Sequence, residues 1–130
     1  SPHEVEASIT SVRKLYPGRE LTVVFQPHLY TRTRDFAPEF AQALSHADRV
    51  VLLEIYPARE KPIPGVTSQI IYDRLTSPER LICPRKDLLN LIKNSNFEIL
   101  MTLGAANLDV LLPDIKDILT AKTIGTQGPV

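Results

Sequence analysis

The chain has 130 residues, enough for one domain with a continuous hydrophobic core. Lys plus Arg and Asp plus Glu each number 15, so the chain lacks the basic excess of general nucleic-acid or membrane-surface binders. The single cysteine, Cys83, excludes an intramolecular disulfide and suits a reducing compartment, and the apolar runs are too short to cross a bilayer.

Apolar residues recur in patterns that predict alternating helices and strands. The first helix covers residues 3–16, with Val5, Ile9, Val12 and Tyr16 on one face, and Pro17-Gly18 ends it. The continuous apolar run Leu21–Phe25 is typical of a strand that is buried on both faces. Further strands are predicted at 49–56, 79–83 and 97–103, and further helices at 33–47, from Thr67 or Ser68 to about Leu75, and at 87–94.

This alternation predicts an α/β fold with right-handed βαβ units, a mostly parallel sheet and helices on both faces. The runs Leu21–Phe25 and Val50–Ile55 are expected to be central and adjacent, because both are continuously apolar. A last helix follows Asn107, and Pro113 is expected to kink or split it. The domain is predicted to span residues 1–121, and residues 122–130 are expected to form a disordered tail.

The stretch after the first strand carries the densest polar chemistry in the chain. His28, Tyr30, Thr31 and Arg32 follow Pro27, which ends the strand. Ligands bind at the carboxyl ends of strands in open α/β sheets. His28 is interpreted as a hydrogen-bond donor that positions a ligand rather than as a catalytic base, because no serine or cysteine nucleophile motif accompanies it.

Arg32 and Arg34 stand at the start of the second helix, where the helix dipole disfavours cations. Thr31 or Thr33 is the expected N-cap. Free backbone N–H groups together with the two guanidinium groups predict a site for a phosphate or carboxylate. The alternative is a solvated loop whose arginines pair with surface acids.

Two more stretches follow strands at the same edge of the predicted sheet. Residues 57–66 contain three prolines and one glycine, so they form either a stiff ligand platform or a structural crossover. Gly104-Ala105-Ala106-Asn107 lacks the dinucleotide and P-loop fingerprints and is interpreted as a tight turn, with Asn107 as N-cap. One cysteine and three scattered histidines show no metal-ligand spacing, so no metal site is predicted.

Three motifs carry a family resemblance. They are Phe25-Gln26-Pro27-His28-x-Tyr30-Thr31-Arg32-Thr33-Arg34-Asp35, Ile55-Tyr56-Pro57-Ala58-Arg59-Glu60-Lys61-Pro62-Ile63-Pro64-Gly65, and Leu103-Gly104-Ala105-Ala106-Asn107. Together they resemble the C-terminal domain of the Mur ligase family, and the first two are long and specific. The resemblance covers the chain to about residue 120, and it departs at Leu29, where many members carry arginine. It also implies that Ser1-Pro2-His3 lies inside a longer chain.

The resemblance implies a Rossmann-like, three-layer domain within a three-domain cytoplasmic enzyme. In that family the central domain carries the ATP P-loop, the N-terminal domain holds the UDP sugar, and the C-terminal domain brings the amino acid and closes over ATP. The match is nearest to members that join L-alanine to UDP-N-acetylmuramate in peptidoglycan synthesis, through an acyl phosphate. ATP and Mg²⁺ belong to the complete enzyme, and this part alone is expected to bind neither and to be inactive.

By the same resemblance, His28 and Arg32 belong to the substrate contacts, and Tyr30 and Thr31 lie beside them. Tyr56 and Glu60 are expected to shape the same side of the cleft, and no catalytic residue is assigned to this part of the enzyme. The alternative function is a non-catalytic Rossmann-like module that binds an anionic ligand or a partner protein. Neither nucleic acid nor membrane is expected as a partner.

Overall fold

The computed structural model describes residues 1–104 and 118–121. Within them, strands and helices alternate along the chain as predicted, and a 3₁₀ turn, Arg85–Asp87, precedes the last of these helices. The strands are β1 (Leu21–Gln26), β2 (Arg49–Leu52), β3 (Glu79–Ile82) and β4 (Ile99–Gly104), and the helices are α1 (Pro2–Leu15), α2 (Tyr30–Leu44), α3 (Gln69–Tyr72) and α4 (Leu88–Lys93).

The sheet has the strand order β3-β2-β1-β4, and all three pairings are parallel. The prediction that β1 and β2 are central and adjacent is confirmed, and every residue of β1 is buried. Because β4 joins the side of β1 opposite to β2, the direction of strand addition reverses at β1. A crevice therefore opens at the carboxyl ends of β1 and β4, where open α/β sheets bind ligands.

Helices cover both faces of the sheet, so the predicted three layers are confirmed. On one face, Val23 and Phe25 pack with α1 and α2, and the Phe25 and Phe40 rings lie 5.3 Å apart. On the other face, Val24 packs with Leu88 and Ile92 of α4. This alternation follows from the pleat, which turns successive side chains of β1 to opposite faces. Burying both faces explains why β1 reads as a continuous apolar run.

Two predicted boundaries at the carboxyl edge of the sheet are wrong. The helix predicted from residue 33 begins at Tyr30, and its N-cap is Leu29, without a side-chain cap, rather than Thr31 or Thr33. The strand predicted to run to Tyr56 ends at Leu52.

Pro27 explains why β2 ends early, because proline has no N–H to give to a ladder. The side-chain amide of Gln26 instead donates to the carbonyl of Glu54 at 3.2 Å. Pairing resumes only as a bridge between His28 and Tyr56. The last pair of the ladder is Phe25 with Leu52. Between that pair and the bridge from His28 to Tyr56, the chain that follows β2 contains one residue more than the chain that follows β1, as in a β-bulge.

The turn at Asn107, the last predicted helix with Pro113, and the predicted tail 122–130 fall largely or wholly outside the described residues. The boundary at residue 121 therefore stays a prediction. Among residues 1–104 and 118–121, no helix combines the length and the apolar character needed to span a bilayer.

Candidate functional site

A cavity of about 300 Å³ lies at the carboxyl ends of β1 and β4, and we call it the crevice. His28 and Arg32 both line it, so the structure brings together the two residues that the sequence placed at the centre of the site. Phe25, Phe40 and Leu103 give it an apolar floor, and Glu4 and Ser8 of α1 form part of its wall. Sequence reasoning missed Glu4 and Ser8, although their spacing of one helical turn and their place beside buried Val5 could have indicated a shared face.

Arg32 and Arg34, which the sequence treated alike, have different surroundings. The Arg34 guanidinium pairs with the Asp35 carboxylate at 2.8 Å, and this hydrogen bond raises the pKa of Arg34. Arg32 lies over the Phe36 ring, 6.0 Å from its centroid, and has no carboxylate within ion-pair distance among the residues that the structure describes. The solvated-pair interpretation therefore fits Arg34, and the anion-site interpretation fits Arg32.

The first turn of α2 is held by Glu60 from the proline-containing loop. One carboxylate oxygen of Glu60 accepts the backbone N–H groups of Tyr30 at 2.5 Å and Thr31 at 3.1 Å. The other accepts the Thr31 hydroxyl at 2.5 Å. We call these three residues the clamp. The hydroxyl bond, followed by the two backbone bonds and the charge of Arg34, holds the pKa of Glu60 below its usual value.

The clamp corrects the prediction that the start of this helix offers free N–H groups to a ligand. The Tyr30 and Thr31 N–H groups are occupied by an acceptor from within the chain. Leu29 leaves the helix without a side-chain cap, so Glu60 supplies both the acceptor and the negative charge that a helix N-terminus favours. The anion site predicted from the sequence would therefore depend on the Arg32 guanidinium rather than on these two N–H groups.

A tight turn presents Glu60 to α2. The Glu60 N–H donates to the carbonyl of Pro57 at 2.9 Å, and Ala58, the first central residue of the turn, has a φ of 53°. Arg59 has no such positive φ, and this combination is the type II′ pattern, which favours glycine at the first central position. Through this turn the loop places the Glu60 carboxylate on the first turn of α2, and whether the loop also contacts a ligand stays a prediction.

Tyr56 supports His28 from the side. Their rings are stacked, with centroids 5.8 Å apart and planes inclined by 28°. The Tyr56 backbone donates to the Pro27 carbonyl at 2.8 Å and accepts the Leu29 N–H at 2.9 Å. Leu29 has a φ of 74°, a strained value for a leucine, and it lies between the crevice residue His28 and the clamp residue Tyr30.

Gly104 lines the crevice because β4 ends beside β1, which the sequence did not reveal. It is the last residue of β4, pairs with Gln26, and lines the crevice. Its φ is 122°, and a Cβ atom at this position would lie 2.2 Å from the Gln26 carbonyl oxygen. Only glycine lets the two strand ends approach this closely.

A second cavity, of about 460 Å³, lies at the opposite, amino-terminal end of the strands. Its arginines are neutralised within the chain, because Arg13 pairs with Asp48 at 2.9 Å and Arg19 with Glu98 at 3.1 Å. Arg49 likewise pairs with Glu79 at 2.7 Å. This network ties the strand starts together and leaves no arginine of the described lining without a carboxylate partner, so the smaller crevice is the better candidate site for an anion.

A family model and several named relatives match most of this chain. The family model described as "Mur ligase, glutamate ligase domain" matches residues 1–101. The UDP-N-acetylmuramate–L-alanine ligase of Parabacteroides distasonis is 51% identical over 118 residues, which cover 91% of this chain and 26% of the ligase. The ligase of the same name from Phocaeicola vulgatus is 50% identical over 122 residues, covering 93% of this chain and 27% of that protein. The chain thus spans about a quarter of the length of these relatives.

Two solved structures share the fold at low sequence identity. The UDP-N-acetylmuramate-alanine ligase of Thermotoga maritima superposes with a TM-score of 0.65 and 23% identity, over 95% of this chain and 25% of the ligase. A domain of a putative UDP-N-acetylmuramate:L-alanyl-γ-D-glutamyl-meso-diaminopimelate ligase from Haemophilus ducreyi gives a TM-score of 0.59 and 19% identity, over 93% of this chain and 83% of that domain. With the family model matching most of its length, this chain belongs to the Mur ligase family and corresponds to that family's C-terminal domain.

Proposed function

We propose that this chain is the C-terminal, amino-acid-binding domain of an ATP-dependent UDP-N-acetylmuramate–L-alanine ligase, a cytoplasmic enzyme of peptidoglycan synthesis. The observation that carries the proposal is the meeting of His28 and Arg32 in one crevice at the switch point of the sheet, where Arg32 has no ion pair among the described residues. Relatives that are about half identical bear this enzyme's name, which supports the choice of substrate.

In this proposal, the role of the chain is to bind a reactant and to orient it. The Arg32 guanidinium holds a carboxylate or phosphate of the bound reactants through charge-assisted hydrogen bonds, and His28 positions the same ligand as a hydrogen-bond donor. The apolar floor of the crevice keeps water from part of the ligand. Orientation of this kind accelerates a ligation because the amine of L-alanine must approach the activated carbonyl of the sugar acid along one direction.

The sequence has no P-loop for ATP, and the described residues form no grouped set of ligands for Mg²⁺. The sequence has no Gly-Lys-Ser/Thr loop to grip phosphates. In the described ranges, no three His, Cys, Asp or Glu side chains are grouped so that they could hold a metal ion. We therefore assign ATP, Mg²⁺ and UDP-N-acetylmuramate to the other domains of the ligase, which would make up the three quarters of the relatives that this chain does not cover.

The test uses the full-length protein that contains this chain. Phosphate release in the presence of ATP and Mg²⁺ should require both UDP-N-acetylmuramate and L-alanine, and mass spectrometry should detect the joined product. Glycine and L-serine are tested in place of L-alanine to measure selectivity. Failure of L-alanine to support turnover by a folded preparation would overturn the proposal in favour of a non-catalytic module.

A matched pair of arginine variants tests the role of the crevice. Arg32→Ala should lower kcat/KM by at least about tenfold, because a charged hydrogen bond contributes on the order of 1.5–3 kcal/mol and 1.36 kcal/mol is one decade. Arg34→Ala removes the same charge two residues away, but from a guanidinium already paired with Asp35, and should change kcat/KM less than about threefold. Equal losses in the two variants would contradict the assignment of Arg32.

A further inference from the structure

We propose that Glu60 is a positioning residue, which acts through the first turn of α2 to hold Arg32 at the crevice. The inference rests on the proposed function and deepens it, because the resemblance implied that Glu60 helps to shape the substrate cleft. Its contacts give it a different task.

Both oxygens of the Glu60 carboxylate are used within the clamp. One accepts two backbone N–H groups, and the other accepts the Thr31 hydroxyl, at distances of 2.5–3.1 Å. Glu60 does not line the crevice, whereas Arg32, the residue after Thr31, does. The helix takes three of the roughly four acceptor sites of this carboxylate, so Glu60 fixes the backbone from which the Arg32 side chain projects.

The charges around this turn explain why the contact matters. The helix N-terminus carries partial positive charge, and Arg32 and Arg34 add two cations to the same turn. Asp35 is already paired with Arg34, and Leu29 provides no capping side chain. Among the residues that the structure describes, Glu60 is the one carboxylate that accepts the N–H groups of Tyr30 and Thr31. Without it, the turn keeps its repulsion and loses its acceptor, so the position of Arg32 becomes less defined.

Glu54 provides a matched control at the same edge of the sheet. Its carboxylate accepts the backbone N–H of Arg85 at 3.0 and 3.2 Å, at the start of the 3₁₀ turn that precedes α4. Glu54 therefore makes the same kind of carboxylate-to-backbone contact, in the same segment after β2, but toward a different element. If the effect of Glu60 came from general stiffening of this edge, Glu54→Gln would reproduce it.

The experiment is a double-mutant cycle in the full-length ligase, with Glu60→Gln and Arg32→Ala made singly and together. Glu60→Gln should lower kcat/KM by about fivefold or more. The change should be chiefly a higher KM, because lost ligand binding raises KM and leaves kcat nearly unchanged. The reactant affected should be the same one whose KM rises in Arg32→Ala. In the Arg32→Ala background, the added loss should fall below about twofold, since coupled residues are not additive. Thr31→Val removes the hydroxyl of the clamp and should raise the same KM, by a smaller factor.

Hydrogen exchange of the full-length protein supplies a readout that does not depend on turnover. A peptide covering the start of α2 should exchange faster in Glu60→Gln than in the wild type, and at the wild-type rate in Glu54→Gln. Unchanged exchange in Glu60→Gln would refute the clamp.

Three kinetic outcomes would overturn the inference. They are a full, undiminished loss from Glu60→Gln in the Arg32→Ala background, an equal loss from Glu54→Gln, and a fall in kcat at constant KM that Arg32→Ala does not share, which would indicate fewer folded molecules. Absence of L-alanine-dependent turnover in the wild type would instead refute the proposed function, and the exchange experiment would still decide whether the clamp orders α2.

Discussion

The most decisive structural prediction concerns Gly104, where the ends of β1 and β4 meet at the crevice. In Gly104→Ala, the added Cβ would lie 2.2 Å from the carbonyl oxygen and 2.8 Å from the nitrogen of Gln26. These are backbone atoms of a buried strand, so no flexible side chain can move aside. The backbone of residue 104 would also have to keep a φ of 122° with a methyl group attached.

The loss of stability expected in Gly104→Ala has two parts, and a second glycine of the chain allows us to separate them. A positive φ costs an L-residue roughly 1–2 kcal/mol, of which about 0.4–1 kcal/mol is offset because alanine restricts the unfolded chain. Forcing a methyl group into a packed backbone contact adds roughly 1–3 kcal/mol. Gly104→Ala should therefore lower the free energy of unfolding by about 1–5 kcal/mol. For a chain of this size that corresponds to a fall in Tm of roughly 3–23 °C.

The matched control is Gly65→Ala. Gly65 also has a positive φ, 79°, but a Cβ atom there would have no neighbour within 4 Å. Thermal melts of both variants, followed by circular dichroism, should show a fall of at most about 8 °C for Gly65→Ala, because only the backbone part remains, and a fall for Gly104→Ala that is larger by at least about 3 °C. If the two variants melt within about 3 °C of each other, the close approach of Gly104 to Gln26 is wrong. The crevice wall that depends on it is then wrong as well.

Three further predictions concern charge and backbone strain. Arg32→Ala should leave Tm within about 2 °C of the wild type, because Arg32 has no ion pair among the described residues, and Arg32→Lys should recover only part of the lost kcat/KM, because an ammonium cannot form a bidentate fork. Arg13 and the Leu21 N–H depress the pKa of Asp48. The stabilisation of the folded state by Asp48 is therefore fully present above the unfolded pKa, near 3.9, and is lost as the pH falls through the lower folded pKa. Tm measured from pH 5 to pH 2 should therefore fall less steeply in Asp48→Asn than in the wild type, and parallel curves would contradict this linkage. Ala58→Gly should raise Tm by a few degrees. Relief of the positive φ stabilises the fold by about 1–2 kcal/mol, which exceeds the entropy cost of glycine, about 0.5–1 kcal/mol. A lower Tm would contradict the positive φ of Ala58 in this turn.

Local sequence determined the elements of this domain and their order. The continuous apolar run Leu21–Phe25 predicted a strand buried on both faces, and the structure places it at the centre of the sheet. Pro27 predicted the end of that strand correctly, because a missing N–H acts at its own position. The Mur ligase motifs likewise predicted the family, since they are contiguous stretches of sequence.

Contacts between distant residues were decided only by the tertiary structure. Glu60 lies 30 residues from Tyr30, and nothing local reveals that its carboxylate replaces the expected threonine cap of α2. The same holds for Gly104, which resembled an ordinary turn residue until β4 paired beside β1. The different roles of Arg32 and Arg34 follow from which partner each guanidinium reaches, and side-chain direction along a helix becomes defined only when α2 packs on the sheet. Periodicity reports burial along one element, whereas a site depends on how separate elements meet.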